Sequence, residues 1–137
     1  MDKVTPTNKE YEYTGQIIIS QTDKDGILTY VNKKFCEVSG YESSELLGQD
    51  LSIIRNKDMP NAVIEKIWKV ISDGQSWNGL FINLRKSGDF YWVDTEITPV
   101  RDEDNNITGY ISVGRPASPK DVEDNKEQYK KMIEVQW

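Results

Sequence analysis

Apolar and polar residues follow one another along the chain in blocks that predict five strands and four helices. The strand blocks are short, rich in β-branched and aromatic residues, and bounded by glycine, asparagine or aspartate. We predict strands over residues 16–22, 27–31, 77–84, 90–100 and 107–114. Because two strands precede three helices and three strands follow them, the pattern indicates an α+β domain with a final helix.

The first two helices are short and are predicted from their start and stop signals. Asn32 is a helix-capping residue type that precedes an apolar stripe extending to Val38, and Gly40 then ends the helix. A second short helix is predicted to begin at Ser43 or the next residue and to stop at Gly48. Neither segment is long enough to form a helix without packing against the rest of the domain.

The strongest helical pattern follows Pro60, which suits a first helical position. Apolar residues then recur at helical spacing until Gly74, namely Val63, Ile64, Ile67, Trp68 and Ile71. A fourth, charged helix is predicted from Ser118, because serine, proline and an aspartate three residues later resemble a capping box. This last helix runs toward the C-terminus with only a weak apolar stripe.

Side chains alternate within the predicted strand over residues 90–100. One face carries Tyr91, Val93, Thr95 and Ile97. The other face carries Trp92, Asp94, Glu96 and Thr98. Since the charged residues all belong to the second set, we expect that face of the sheet to be the wetter one.

Length and composition limit the class of protein. The 137 residues suit one domain with a terminal extension rather than two domains. The formal net charge of −6 disfavours a nucleic-acid-binding surface. No apolar run approaches the roughly 18 residues that span a bilayer, and no signal peptide opens the chain. We therefore expect a soluble, cytoplasmic protein without direct membrane insertion.

The residue types that are missing exclude several chemistries. The chain has no histidine and a single cysteine, Cys36. Ser-His-Asp and Cys-His catalysis, histidine-ligated haem and multi-cysteine metal sites therefore lack the residues that form them. No Walker-type glycine loop and no pair of catalytic carboxylates is visible either, so the sequence does not predict an enzyme.

Aromatic residues concentrate around the long helix and the hairpin that follows it. Three of the four tryptophans lie in this region: Trp68, Trp77 and Trp92. Such a concentration indicates either an unusually aromatic core or a site for a flat ligand. The residue pattern alone leaves both interpretations open.

The order of elements and two motifs resemble PAS domains. An Asp-x-x-Gly turn ends at Gly26 ahead of the second strand, and the stretch from Val31 to Tyr41 reads VNKKFCEVSGY. The resemblance covers roughly residues 16–114. It implies a PAS fold, with a five-stranded antiparallel sheet, short helices on one face and a C-terminal exit helix. We expect an N-terminal extension (1–14), a PAS sensor domain (15–116) and a C-terminal signalling helix (117–137).

A longer segment is similar to the FAD-binding PAS domains of bacterial aerotaxis and energy-taxis receptors. It resembles, less closely, the flavin PAS domain of a nitrogen-fixation regulator. The similarity includes the loop from Ile53 to Pro60 (IIRNKDMP), Trp68, Trp77 and the stretch from Asn83 to Gly88 (NLRKSG). The taxis receptors usually read Arg-His-Pro-Asp-Met-Pro in this loop, whereas this chain has Asn-Lys in place of His-Pro. The resemblance implies that FAD is the cofactor, bound without a covalent link.

The same resemblance implies seven cofactor-binding residues, which are Asn32, Arg55, Asn56, Asp58, Trp68, Trp77 and Asn83. Arg55 suits the pyrophosphate of FAD, because a guanidinium group pairs with two phosphate oxygens. The carboxamide of Asn83 matches an isoalloxazine edge, which offers a hydrogen-bond donor and an acceptor together. Trp77 suits the ring system, which an indole covers edge-on or by offset stacking.

Most of these residues also have a purely structural interpretation. Asn32 is first a helix cap, and Asp58 is a carboxylate placed just ahead of a helix. Asn56 can shape its loop, and Trp68 falls on the apolar stripe of its helix. Asn83 precedes a turn and can face solvent there. The sequence leaves these alternatives open.

The photochemistry of LOV domains, the light-sensing flavin branch of this fold, is disfavoured. Their adduct-forming cysteine lies in the region that corresponds to residues 51–58, where this chain has none. Val93 and Gly114 stand roughly where LOV domains carry a flavin-binding asparagine and glutamine. Cys36 is predicted to fill space in a short helix.

These features predict a sensory PAS domain that binds FAD and reports redox, oxygen or energy status to a chemotaxis receptor or another signalling output. We expect a homodimer whose last helix passes the signal to a downstream domain. Two alternatives stay open. One is a cofactor-free PAS module for dimerisation or partner docking, and the other is a PAS sensor of a small organic ligand.

Overall fold

One antiparallel sheet organises the molecule. The computed structural model describes residues 4–136. Its five strands lie in the order β2-β1-β5-β4-β3. They are β1 (Ile18–Asp23), β2 (Leu28–Val31), β3 (Trp77–Leu84), β4 (Phe90–Arg101) and β5 (Ile107–Pro116). The predicted five-stranded antiparallel sheet and the α+β class are confirmed.

Within the described residues 4–136, four α-helices and one 3₁₀ helix accompany the sheet. The helices are α1 (Lys33–Ser39), α2 (Ser43–Leu46), the 3₁₀ helix (Leu51–Ile54), α3 (Asn61–Ser72) and α4 (Pro119–Gln136). Helices α1 to α3 lie on one side of the sheet, which we call the inner face, and α4 packs on the outer face. Within residues 4–136, no helix combines the length and the apolar character needed to cross a membrane.

Local sequence signals explain where the helices begin and end. The side-chain oxygen of Asn32 accepts a hydrogen bond from the backbone N–H of Phe35 at 2.9 Å, which confirms the predicted cap of α1. Gly40 then adopts a left-handed conformation with φ of 79°. The prediction for Pro60 is wrong by one residue, because its ψ of 138° is extended and helical geometry begins at Asn61.

The inner face packs in two separate places. Near α1, Phe35 and Val38 are buried against the sheet together with Ile18 and Val93. Near α3, Ile67 and Ile71 pack against Ile97 of β4 and Tyr110 of β5. The helices therefore support the sheet at both ends of the inner face.

The outer face is closed over β3 and β4 by α4. The Tyr129 hydroxyl donates a hydrogen bond to the backbone carbonyl of Leu80 at 2.9 Å. The rings of Tyr129 and Trp92 are stacked with centroids 6.3 Å apart, and Trp92 is only 8% exposed. Asp94, Glu96 and Thr98 are less buried than the inner residues of β4, so the predicted wetter face is confirmed at these positions. Trp92 is the exception, because α4 covers this part of the strand.

The N-terminal extension lies beside the start of β4. The backbone N–H of Tyr11 donates to the carbonyl of Phe90 at 2.7 Å, and the N–H of Phe90 donates to Lys9 at 2.9 Å. The Arg85 guanidinium lies 3.9 Å from the centroid of the Tyr11 ring, a cation–π contact. Tyr13 is buried in the inner core. Residues 7–13 are thus tied to the hairpin formed by β3 and β4.

Candidate functional site

A cavity of about 370 Å³ lies between the inner face of the sheet and α3. Its roof is apolar and comes from α3 and the segment before it, with Ile54, Met59, Ile64, Ile67, Trp68 and Ile71. Its floor consists of inward-facing residues from β1, β3, β4 and β5. The cavity therefore lies between the apolar side of α3 and the inner face of the sheet.

The floor of the cavity combines small polar residues with larger apolar ones, such as Phe81, Ile97 and Tyr110. Ser20 and Ser112 are directly opposite each other on β1 and β5. Thr95 on β4 is opposite Gly114 on one side and Gly79 on the other. The Trp77 ring lies over Gly79, and Ile18 and Val93 lie over Gly114. Small side chains in the middle of the sheet leave the space that α3 does not fill.

Three of the seven predicted residues line this cavity: Arg55, Trp68 and Asn83. Asn83 is 7% exposed, so its carboxamide is buried at the cavity wall. A backbone bridge joins Arg55 to Asn83 and ties the loop after the 3₁₀ helix to the free edge of β3. The Trp68 ring meets the Tyr110 ring edge-to-face at 5.7 Å. The fold therefore brings together residues that are 28 positions apart in the sequence.

Asn83 has an unusual neighbour in Tyr91, its cross-strand partner. The Tyr91 hydroxyl is fully buried, and no hydrogen bond of normal geometry reaches it from the described residues. Burial strongly raises the pKa of Tyr91, and the nearby Asn83 carboxamide opposes that shift without a properly formed hydrogen bond. The phenol is therefore neutral at physiological pH, and its hydroxyl lies close to the Asn83 carboxamide.

Two of the other predicted residues support the framework instead. Asn32 caps α1 and also accepts a hydrogen bond from the Ile19 N–H at 3.1 Å, which joins the helix to β1. Asn56 is buried, and its side-chain oxygen accepts from the N–H of Asp58 at 2.9 Å. In this arrangement Asn56 fixes the turn that leads into α3, as one of the two interpretations of the sequence suggested.

Asp58 and Trp77 lie outside the cavity lining. Asp58 is exposed on the loop before α3. The Trp77 indole covers Gly79, where an added Cβ would lie 2.6 Å from the ring, and it meets Phe81 edge-to-face at 5.5 Å. Trp77 thus packs beside the cavity, at the start of β3.

The mouth of the cavity carries charges of both signs. Asp25 and Asp50 line it on one side, together with Arg55. The N–H of Leu51 donates to the carbonyl of Gly26 at 2.9 Å, which holds the two aspartate-bearing segments side by side. The guanidinium of Arg55 bonds the side chain of Asn61 at the start of α3. Two carboxylates and one guanidinium therefore decide which charged groups can approach the opening.

Cys36 is placed away from the cavity. Its side chain is partly buried against the core near α1, and it does not line the cavity. Burial raises the pKa of the Cys36 thiol, so it is protonated at neutral pH. Across residues 4–136, no cluster of three or more histidine, cysteine, aspartate or glutamate residues could hold a metal ion.

Sequence reasoning missed the hydroxyl groups of the cavity floor. Ser20 and Thr22 sit at inward positions of β1, where the pattern of the strand predicts apolar residues. Ser112 occupies the matching position of β5. Small polar residues on the core side of an apolar strand are a detectable signal, because a packed core disfavours them unless they have a partner.

A family model described as the PAS fold matches residues 16–117. The chain belongs to the PAS family. The matched range includes every strand, α1 to α3 and all the cavity residues, whereas α4 follows it. The resemblance drawn from the Gly26 turn and the Val31–Tyr41 motif is confirmed.

Two curated relatives refine this assignment. The PAS domain is 36% identical over 105 residues to the aerotaxis receptor of Escherichia coli (strain K12), covering 77% of this chain and 21% of the receptor. It is 31% identical over 102 residues to a nitrogen fixation regulatory protein of Klebsiella pneumoniae, covering 74% of this chain and 21% of the regulator. The chain therefore spans about a fifth of the length of these relatives.

Solved structures agree on the fold. The dark structure of the blue-light photoreceptor Aureochrome1 LOV superposes with a TM-score of 0.69 at 21% identity, covering 87% of this chain and 83% of that one. A light-oxygen-voltage domain studied with a flavin analogue gives a TM-score of 0.70 at 23% identity, covering 84% and 86%. At these identities the likeness concerns the fold alone.

Proposed function

We propose that this PAS domain is a sensor that binds FAD without a covalent link and reports redox, oxygen or energy status to a signalling output. The observation that carries the proposal is the cavity, which gathers Arg55, Trp68 and Asn83 under α3. The 36% identity to an aerotaxis receptor supports the class of stimulus. The proposed location is the cytoplasm, and the proposed partner is a chemotaxis receptor or another downstream domain, with the domain acting as a homodimer.

The dimensions and lining of the cavity fit the ring system of a flavin. A volume of about 370 Å³ lies in the lower part of the range for small-molecule sites, roughly 300–1,000 Å³. This space suits a tricyclic head group, whereas the adenine nucleotide of FAD has to extend beyond the mouth. An apolar roof and a few buried polar groups are the usual lining of such a site.

The roles proposed for the residues follow from their positions. Asn83 would hold the polar edge of the ring, Trp68 would cover the ring and exclude water, and Arg55 would bind phosphate at the mouth. Asn32 and Asn56 would hold the elements around the site, which their hydrogen bonds already join. Asp58 and Trp77 stay predicted contacts for parts of FAD beyond the cavity. The flavin itself would supply reversible electron transfer.

The proposed signal starts at Asn83. A carboxamide can present either its oxygen or its NH₂ group to the cavity, so its orientation can follow the hydrogen-bonding character of a bound ring. Asn83 belongs to β3, and α4 is bonded to the same strand at Leu80. A coupling of about 1–3 kcal/mol between the two sites would suffice for a useful population shift.

Spectroscopy of the purified protein tests the proposal. We expect a yellow protein with flavin absorption bands that bleach on addition of dithionite, and a native mass that exceeds the chain by one FAD. Asn83→Ala should weaken FAD binding about tenfold or more, because a buried polar edge loses its partner. Asn78→Ala is the matched control, since Asn78 lies on the same strand but faces outward and bonds Asp94.

Two results would contradict the proposal. A colourless protein that also rejects added FAD would favour a cofactor-free module for dimerisation or docking. Thermal stabilisation by small organic acids or aromatic compounds, without any effect of FAD, would favour a sensor of those compounds.

A further inference from the structure

Two tyrosine hydroxyls are buried without a hydrogen-bond partner in the part of the chain that the structure describes. They belong to Tyr41 and Tyr91. Both residues lie in the core near α1, where Tyr41 is 3% exposed and Tyr91 is 0% exposed. Leaving a buried hydroxyl unpaired is costly, whereas phenylalanine would keep the contacts of the ring without that cost. The two hydroxyls therefore need an explanation other than packing.

The two hydroxyls have different neighbours. Tyr41 lies beside the ion pair of Lys86 and Glu45, with the Lys86 Nζ atom 5.9 Å from the centroid of its ring. Tyr91 is the cross-strand partner of Asn83, and the Cβ atoms of directly opposed strand residues lie about 5 Å apart. Asn83 lines the cavity, whereas neither tyrosine does. Of the two tyrosines, Tyr91 is thus the one that stands directly behind a residue of the candidate site.

The surroundings of Asn83 and Tyr91 hold both backbones and the tyrosine ring in place. Asn83 is paired with β4 on one side and bridged to Arg55 on the other. The Tyr91 ring is fully buried and meets the Tyr11 ring edge-to-face at 6.5 Å. The groups that can still turn are the Asn83 carboxamide, about its side-chain torsions, and the Tyr91 O–H, about its C–O bond.

The Tyr91 hydroxyl already lies close to the Asn83 carboxamide. Burial raises the pKa of Tyr91, and the carboxamide acts against that shift, as a nearby polar group does. No hydrogen bond of normal geometry joins them, because the hydroxyl has no partner among the described residues. A modest rotation of the carboxamide and the O–H is therefore enough to form the bond.

We propose that Tyr91 is a positioning residue for the candidate site, whose hydroxyl bonds the Asn83 carboxamide once a ligand occupies the cavity. A neutral phenol can donate to the carboxamide oxygen, which leaves the NH₂ group for the ligand. It can also accept from the NH₂ group, which leaves the oxygen for the ligand. Tyr91 therefore supports both orientations of Asn83, and phenylalanine would support neither. This inference rests on FAD binding as proposed above.

The test is a double-mutant cycle on FAD binding. The purified protein is stripped of bound cofactor, and the dissociation constant of FAD is measured for the unchanged chain, Tyr91→Phe, Asn83→Ala and the double variant. Tyr91→Phe should bind FAD roughly three- to tenfold more weakly, as the loss of about one hydrogen bond predicts. In the Asn83→Ala background the same change should have no further effect, because Tyr91 acts through the carboxamide.

Tyr41→Phe is the matched control, because it removes the other unpaired hydroxyl of the same core. It should bind FAD like the unchanged chain. Without FAD, both phenylalanine variants should resist denaturant at least as well as the unchanged chain, since each loses a buried hydroxyl that has no partner. Weaker binding by Tyr91→Phe without a loss of stability would separate a positioning role from a structural one.

Nuclear magnetic resonance supplies a readout that does not require a variant to fold. In the FAD-bound unchanged chain, the Tyr91 hydroxyl proton should exchange slowly with water and show a nuclear Overhauser contact to the Asn83 side-chain NH₂ group. The NH₂ signals of Asn83 should shift in Tyr91→Phe and stay in place in Tyr41→Phe. An FAD-bound protein without that contact would contradict the proposed hydrogen bond.

The binding data can also overturn the inference. Unaltered FAD binding by Tyr91→Phe would do so, and so would an equal loss with and without the Asn83 carboxamide. Both results leave FAD binding by the unchanged chain intact, so they concern Tyr91 alone. If the unchanged chain does not bind FAD, the proposed function fails, and the role of Tyr91 fails with it.

Discussion

Each face of the sheet is covered by a helix, but the two faces differ in how closely that helix packs. On the outer face, Trp92 and Leu80 lie under α4, and the Tyr129 ring and hydroxyl close the contact. On the inner face, the middle of the sheet carries Thr95 and Ser112 under α3, and a cavity of about 370 Å³ persists. Large side chains fill the outer face under α4, whereas small residues leave the middle of the inner face open between two packed ends.

The comparison indicates that residues of the sheet, and not residues of α3, determine where the cavity lies. Helix α3 is apolar where it faces the sheet, and it packs against large strand residues where they are present, at Ile97 and Tyr110. Successive strand residues point to opposite faces, so one strand can close one side and open the other. In β4, Trp92 helps to close the outer face, and Thr95 leaves space on the inner face.

The largest expected effect concerns the closed face. Trp92→Ala should lower the free energy of unfolding by about 3–5 kcal/mol, because a buried aromatic ring is lost beneath α4. Tyr30→Ala is the comparison, since Tyr30 is 49% exposed. Denaturant titration measures both variants. A loss below about 1 kcal/mol for Trp92→Ala would mean that α4 does not seal the outer face.

The next effect concerns the open face. Thr95→Leu should fill part of the cavity and weaken FAD binding at least tenfold, while the ligand-free protein keeps its free energy of unfolding within about 1 kcal/mol. The larger side chain has to extend into the cavity, because the Trp77 ring lies over Gly79 and Ile18 and Val93 lie over Gly114. Thr98→Leu on the outer face is the control. Unfolding of Thr95→Leu would show that the inner face is as tightly packed as the outer one.

A smaller effect should appear at alkaline pH. Burial raises the pKa of Tyr129, so the folded state favours the neutral phenol. The contribution of Tyr129 to stability is therefore complete below the ordinary tyrosine pKa of about 10 and is lost as the pH rises through the higher folded value. Tyr129→Phe should cost about 1 kcal/mol at pH ~8 and remove part of the alkaline loss seen in the unchanged chain.

Denaturant titrations at pH ~8 and pH ~10.5 measure this contribution. Burial also raises the pKa of other tyrosines, such as Tyr13 and Tyr110. The stability of Tyr129→Phe should therefore still fall at alkaline pH, but by less than that of the unchanged chain. An identical alkaline loss in Tyr129→Phe and the unchanged chain would assign the whole dependence to those other residues.

The smallest expected effect concerns the mouth of the cavity. Asp50→Asn keeps the hydrogen bond that the Asp50 side chain accepts from the Ser52 N–H, but it removes a negative charge beside the opening. FAD should bind about two- to fivefold more tightly at low salt, and the gain should fade at high salt. Riboflavin, which has no phosphate, should bind as before.

Asp124→Asn on the exposed side of α4 is the charge-matched control for this variant. Equal tightening of FAD and riboflavin by Asp50→Asn would point to a change in the shape of the mouth rather than in its charge.

Much of the fold could be predicted from the sequence, because local signals determine it. The bounds of β3 agree with the prediction, since alternation and flanking turn residues mark both ends. The 3₁₀ helix was missed, because four residues show no period and its start depends on the side chain of Asp50. The docking of α4 was missed too, since the stripe around Tyr129 is weak and its partners lie about 40 to 50 residues away.

The candidate site was only partly predictable. A resemblance in the sequence directed attention to Arg55, Trp68 and Asn83, which meet at the cavity. It also directed attention to Asn32 and Asn56, whose hydrogen bonds serve the framework. Sequence patterns rank residues by type and position, whereas the direction of a side chain depends on the register of strands that are far apart in the chain.

The turn between β3 and β4 has a practical consequence for anyone who wants to graft a reporter peptide into this domain. A hairpin tip is normally the tolerant place for an inserted sequence. Here the carbonyl of Thr5 lies 2.2 Å from where a Cβ on Gly88 would stand, and Thr7 bonds the Gly88 carbonyl. The exposed turn at residues 102–106 has no such cover, so an epitope or a split-protein fragment belongs there.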